Sequence, residues 1–339
     1  MKYIVCEKPG KFLLKEKEAP TRKKGEALLR MTRVGICGTD LHAFQGNQPF
    51  FTYPRILGHE LAAEILEIEP NEQGLKVGDK VIIMPYISCQ KCIACRKGKT
   101  NCCTNIQVLG VHTDGGMQEM MSLPIDILIP AGNLTDEAIA LVEPLAIGAH
   151  SIRRAAIQQG ETVLVIGCGP IGLGILKQAQ LAGGNVISMD INAERLAFVQ
   201  KEMGIQYTVN VLENPMEKIL AINDGELPTI VIDATGNKKA LETGVEYMAH
   251  GGKYVLVGLF KGDLSFNHPF IHSRETTLLC SRNATMEDML KVKEILESGQ
   301  FPIAAYITHT VPFSVMIDNF NAWINPETGV IKAMVNFED

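Results

Sequence analysis

Through about residue 145 the apolar residues come in short alternating runs, broken repeatedly by Gly and Pro. Alternation with a period of two marks half-buried strands. It predicts strands over 26–34, 61–68 and 80–83, with a turn over 74–79 entering the last of these. The first twenty residues alternate like an edge strand and then become charged. The pattern changes after Glu143-Pro144. A helix is expected over 145–156, followed by an apolar run at 161–166 that is too short for a buried helix and fits a parallel strand. Then come a glycine-rich turn, a helix over 171–182, a strand over 185–190 and a helix over 193–203. Strands over 229–233 and 253–257 follow, and a helix over 286–299 closes the unit. Regular strand–helix alternation implies a doubly wound parallel sheet covered on both faces. The expected organisation is therefore a mostly β domain over 1–145, an α/β domain over 146–295, and a strand-rich segment over 296–339 that returns to the first domain.

Length and charge narrow the picture. A chain of 339 residues with 46% hydrophobic content holds about two domains with real cores. The net charge is −6 and no long Lys/Arg run occurs, which argues against a nucleic-acid partner. No apolar run approaches the ~18 residues of a membrane span, and none near the N-terminus has the pattern of a secretion signal. No membrane association is expected, and the expected location is cytoplasmic.

Nine cysteines then point to a reducing compartment. Four of them lie as Cys89-x2-Cys92-x2-Cys95-x7-Cys103, within a lobe over about 86–105. Such a cluster suits one tetrahedral soft-metal site, with zinc the usual occupant; two disulfides are the competing reading. Lys91, Arg96, Lys97 and Lys99 favour the thiolate form. Four thiolates leave no open position, so this site is structural. Cys102, beside Cys103, competes for the fourth place. Cys6 and Cys280 are expected to be buried small hydrophobes.

Gly167-Cys168-Gly169-Pro170-Ile171-Gly172 is a G-x-G-x-x-G between an expected strand and an expected helix, the context that gives the motif meaning. Gly167 permits a tight turn, Gly169 lets backbone approach a pyrophosphate, and Gly172 lets helix pack on strand. The helix N-terminus adds free amides and a positive dipole end. Asp190 ends the next strand, placed to accept hydrogen bonds from ribose hydroxyls and to repel a 2′-phosphate. NAD is thus expected over NADP. Arg195 is either a stacking partner for adenine or a solvated helix residue, and it leaves some NADP use open.

A second set of zinc-compatible groups is dispersed: Cys37 in Gly35-Ile-Cys-Gly-Thr39-Asp40-Leu-His42, the pair His59-Glu60, and Glu143. Three protein ligands with one open position is the catalytic zinc pattern. Cys37 and His59 are expected ligands, with Glu60 and Glu143 as rivals for the third place. The competing role for Glu60 is a salt bridge with an Arg. Asp40 reads as a turn-stabilising carboxylate.

Together, in this order, these motifs resemble the zinc-dependent medium-chain dehydrogenases. That resemblance implies a GroES-like catalytic domain joined to a Rossmann domain, about two zinc ions per chain, and a C-terminal segment that returns to the first domain. It implies Cys37, His59 and Glu143 as zinc ligands, Glu60 as a carboxylate close behind, and Thr39 and His42 as a proton relay. Pro170, Ile171, Thr235, Gly258 and Asn283 complete the expected cofactor contacts. Gly46–Arg55 (46–55), 110–116, 258–262 and 281–285 resemble the bacterial L-galactonate 5-dehydrogenase branch, related to sorbitol and threonine dehydrogenases.

The implied reaction is hydride transfer from a secondary alcohol of a polyol or sugar acid to NAD, in a cleft closed to water. Phe50, Phe51 and Tyr53 are candidate cleft walls, Asn47, Gln48, His112 and Arg282 candidate hydroxyl partners, and Arg55, Lys261 and Arg282 candidate carboxylate partners. A general alcohol dehydrogenase, a zinc-free quinone or enone reductase, and a non-catalytic zinc-stapled NAD-binding protein are the competing readings. A homodimer or homotetramer formed through Rossmann-domain edges is expected.

Overall fold

An eleven-residue strand, Glu26–Ile36, organises the first part of the molecule. In this computed structural model, which describes residues 1–48 and 51–338, the chain divides into two units. One is Met1–Pro144 with Thr285–Asp339, and the other is Leu145–Ala284.

The first unit carries a seven-stranded sheet. Its order is Ile307–Pro312, Lys332–Asn336, Glu26–Ile36, Glu60–Glu67, Lys80–Ile83, Leu128–Pro130, with Met120–Pro124 paired to the earlier part of the long strand. Register matters more than order. Gly35 lies opposite Glu60, and Ile36 opposite Ala333, so three distant chain segments meet where the long strand ends. A Cβ at Gly35 would sit 2.0 Å from Glu60 Oε2, so only glycine fits there. Phe12, Phe44 and Phe320 pack ring on ring at 4.7 to 5.1 Å and pin the N-terminal hairpin and the C-terminal segment together.

Three elements differ from the sequence expectation. The helix expected to start at 145 is Asp136–Ala155, with Pro144 inside it. Its start is fixed ahead of the proline: Thr135 Oγ1 accepts from Ala138 N, and Asp136 accepts from Thr32 Oγ1 at 2.9 Å and Lys80 Nζ at 2.5 Å. A proline removes one helix hydrogen bond, which tertiary anchoring at the first turn offsets. The helix Met286–Glu297, expected to close the second unit, belongs to the first, whose segment resumes at Thr285 and not near 296. The C-terminal segment is not simply strand-rich, since it contains the helix Met316–Ile324. That helix buries Met316, Phe320 and Trp323, a helical spacing that short apolar runs disguised.

The second unit is a six-stranded parallel sheet of β1 (Thr162–Ile166), β2 (Asn185–Asp190), β3 (Tyr207–Asn210), β4 (Ile230–Asp233), β5 (Lys253–Leu256) and β6 (Thr277–Cys280), with α1 (Pro170–Leu181) following β1. The spatial order is β3-β2-β1-β4-β5-β6. Chain direction across the sheet therefore reverses between β1 and β4. Leu164, Ile166, Ile187, Met189, Val231 and Tyr254 form its core, and β1, β2 and β4 are buried nearly throughout. Two covered faces explain their unbroken apolar sequences.

Candidate metal centres and dinucleotide turn

Cys37 follows the long strand directly and caps the helix Gly38–Gln45. Asp40, three residues on, accepts from Cys37 N at 2.9 Å through Oδ2 and from Gly58 N at 3.3 Å through Oδ1. One buried carboxylate thus fixes the backbone on both sides of the site. Burial pushes the Asp40 carboxyl up, against the pull of the nearby His59. His59 is itself buried, and its Nδ1 has no hydrogen-bond partner. Burial opposes the imidazolium, but the Cys37 thiolate and Asp40 outweigh it and hold the His59 pKa well up. Ligand atoms of Cys37, His59 and Glu60 all lie within 4.8 Å of one another.

Both oxygens of Glu60 accept from Lys332 Nζ, at 2.6 and 2.7 Å, and the same ammonium donates to Ile36 O at 3.1 Å. Both side chains are essentially unexposed, so Lys332 is a buried counter-charge brought in by the C-terminal strand. Burial opposes its charge, yet Glu60 keeps its pKa high. Glu143 is buried too, and Tyr86 Oη donates to its Oε1. Burial pushes Glu143 up to about 7, while His59 pulls the other way. Thr39 lies half-buried in the first turn of the Cys37-capped helix, and His42 is exposed further along it.

The second cluster is Cys89, Cys92, Cys95 and Cys103, again with ligand atoms within 4.8 Å. All four are free thiols, so the two-disulfide reading fails. Cys103 is buried and accepts from Cys89 N and Asn105 N at 3.2 and 3.3 Å, whereas its neighbour Cys102 is exposed and stands outside the group. Backbone amides of Cys95 and Thr104 push Cys92 down to about 5. Amide donors that stabilise thiolates are what a thiolate-ligated cation requires.

In the second unit Gly169 caps α1 and Pro170 takes its first position, where the missing N–H costs nothing. A Cβ at Gly172 would lie 1.7 Å from Gly167 O. Asp190 closes β2, accepting from Cys168 N at 2.6 Å and Asn192 N at 2.8 Å. It therefore braces the glycine turn as well as standing at the expected ribose position. Arg195 extends toward the same turn, its Nη1 3.6 Å from where a Cβ of Gly169 would be.

Residues 23–133 match the alcohol dehydrogenase GroES-like domain, and residues 170–298 match the zinc-binding dehydrogenase domain. The chain belongs to the zinc-binding alcohol dehydrogenase family. Among its relatives are the L-galactonate-5-dehydrogenase of Escherichia coli K12, 42% identical over 99% of both chains, and a sorbitol dehydrogenase of Halalkalibacterium halodurans, 30% identical over 90% of both. An alcohol dehydrogenase from E. coli CFT073, solved with NADH, superposes with a TM-score of 0.92 at 31% identity over 99% of each chain. The dehydrogenase thus pairs a GroES-like domain with a Rossmann domain, as the motifs implied. No helix among its described residues is long and apolar enough to cross a membrane.

The donor sets fit zinc. One is a closed set of four thiols; the other combines thiol, imidazole and carboxylate in a buried pocket rich in negative charge. Glu60, expected behind Glu143, is the carboxylate that groups with Cys37 and His59, and Glu143 lies outside that distance. The salt-bridge partner of Glu60 is Lys332, not an Arg. Lys332 and Tyr86 had no sequence signal, because neither lies in a motif.

Other expected residues have local duties. Arg55 pairs with Asp114 at 3.4 Å and donates to Thr52 at 3.0 Å, so it is already engaged. His112 Nδ1 accepts from Val108 N at 3.1 Å and caps a turn. Phe51 and Tyr53 pack edge to face with centroids 4.8 Å apart, and Tyr53 donates to Ala43 O. Lys261 and Arg282 are exposed in the second unit, as is Cys280, contrary to its expected burial. Asn283 adopts a left-handed φ of 51°. Phe50 lies outside the described residues.

Proposed function

We propose that this dehydrogenase oxidises a secondary alcohol of a sugar acid or polyol, of the L-galactonate kind, with NAD as acceptor. The 42% identity to an L-galactonate-5-dehydrogenase over 337 residues carries this reading, since it spans both domains and every motif above. When bound, zinc supplies a Lewis acid at the alcohol oxygen and NAD takes the hydride.

The chain's own residues do the rest. Cys37, His59 and Glu60 would hold the catalytic metal, and Lys332 holds Glu60 in place through both carboxylate oxygens. Glu143, oriented by Tyr86, is the second carboxylate of the pocket and the rival ligand. Thr39 Oγ1 receives the alcohol proton as it gives its own onward, and exposed His42 is the later relay member that passes a proton to solvent. Gly167, Gly169 and Gly172 admit the dinucleotide, and Asp190 accepts from the ribose and disfavours a 2′-phosphate. The four-cysteine lobe is a second, structural zinc site. Nine free thiols suit a cytoplasmic enzyme. The edge strand β6, with Thr277 and Leu278 exposed, offers a second copy of the chain a pairing edge.

The deciding experiment assays NADH formation on L-galactonate, other aldonates, hexitols, threonine and simple primary alcohols. Turnover should be best on an aldonate or hexitol, with NAD favoured over NADP by about tenfold or more. Turnover on threonine alone would place the enzyme with the threonine dehydrogenases. Turnover on primary alcohols alone would end the sugar-acid reading.

A further inference from the structure

Asp233 ends β4 with no exposed surface. Its Oδ1 accepts twice from one residue, from Thr235 N at 2.8 Å and Thr235 Oγ1 at 2.7 Å. Thr235 Oγ1 in turn accepts from Asn237 N at 3.1 Å, and Asn237 caps the following helix. One carboxylate therefore sets the whole β4 loop.

That loop touches two others. At Gly167, where φ is 95°, an added Cβ would lie 2.9 Å from Thr235 Cγ2 and 3.3 Å from Thr235 N. At Gly258 an added Cβ would lie 2.1 Å from Gly236 N, and Gly258 N itself donates to Asp233 O at 3.1 Å. The ends of β1, β4 and β5 thus meet around Thr235, which Asp233 grips, and its neighbour Gly236.

Position gives this meaning. The sheet reverses direction between β1 and β4, and in such sheets the ligand lies outside the carboxyl ends of the strands at the reversal. Asp190 stands on β2, on one side of the reversal, and Asp233 stands on the other. The adenosine half belongs to the β1–β2 side, so the rest of a dinucleotide must run over the ends of β4 and β5.

The geometry comes at a cost. Asp233 Oδ2 is buried without a hydrogen-bond partner, and burial pushes the carboxyl up to about 6. An unpaired buried carboxylate oxygen destabilises a fold. Retaining one at the reversal point is the kind of local expense that marks a functional position.

We propose that Asp233 is a positioning residue for the nicotinamide half of the dinucleotide: it grips Thr235 so that the β4 loop is held against the glycine turn and the β5 loop. This rests on reading the unit as the one that binds NAD.

The test uses full-length, zinc-loaded enzyme carrying Asp233→Asn, Asp233→Ala or Asp190→Ala. NADH binding is followed by fluorescence and ADP binding by calorimetry. ADP engages only the adenosine half. Both Asp233 variants should weaken NADH by about tenfold while ADP affinity moves less than about twofold. Asp190→Ala should weaken both ligands. A general loss of structure would not separate the two ligands. Equal weakening of NADH and ADP by the near-isosteric Asp233→Asn overturns the proposal, as does a lowered melting temperature with NADH affinity intact. If wild-type enzyme binds neither nucleotide, the cofactor reading itself fails and takes this proposal with it.

Discussion

Glu60 and Glu143 are two carboxylates competing for one metal position, and the structure separates them by what else they hold. Glu60 groups with Cys37 and His59 while both its oxygens accept from Lys332. Glu143 keeps Tyr86 and stands outside the group. On the proposed reading, removing Glu60 takes away a ligand; it also leaves Lys332 buried without its counter-charge, and breaking a buried pair costs about 3–5 kcal/mol. Glu60→Ala should therefore lose one of about two zinc ions per chain and nearly all activity. Glu143→Ala should keep both ions and lose activity more moderately. Metal analysis after dialysis decides between them, and the opposite pattern would make Glu143 the ligand. The sequence alone left these two glutamates as rivals because Lys332 lies 272 residues from Glu60 in the chain. No local spacing rule reaches that far.

Strands explain why the candidate site assembles at all. Cys37 directly follows the long strand, whose antiparallel register with its neighbour sets Gly35 opposite Glu60, and the C-terminal strand enters the same corner. The strands were legible from alternation, but their register was not, since a one-residue slip preserves the period while moving every side chain to the other face. The start of the helix Asp136–Ala155 has no local signature for a related reason: Pro144 is a helix-breaking signal locally, and the bonds that override it come from Thr32 and Lys80. The edge strand β6 carries its own prediction. Leu278, 45% exposed, points to a pairing edge, and a charge there should block it. With β6 as the proposed subunit contact, Leu278→Lys should lower the oligomeric state seen in sedimentation, with NADH binding retained. An unchanged sedimentation profile would remove β6 as the contact.

On the proposed reading the two cysteine-bearing sites divide the labour of zinc across the whole molecule. The four-thiol lobe lies within fifteen residues, so its ligands share one short loop, while the other site draws on Cys37, His59 and Glu60 across the sheet. Cys92→Ser should lower the melting temperature or yield of folded protein, because the closed site staples its loop. Cys37→Ser should fold with a near-normal melting temperature and show no turnover. Thermal melts paired with NADH assays test this, and two variants with the same behaviour would refute the division. The sequence by itself determined the family, the parallel sheet, the glycine turn and the four-cysteine lobe, because each is written in contiguous residues or a regular period. Only the tertiary structure shows that Glu60 groups with Cys37 and His59, that Lys332 and Tyr86 bond Glu60 and Glu143, that Asp40 braces the backbone at Cys37 and Gly58, and that Asp233 grips Thr235. Those relations join residues far apart in the chain, and the packing that brings them together has no local signature.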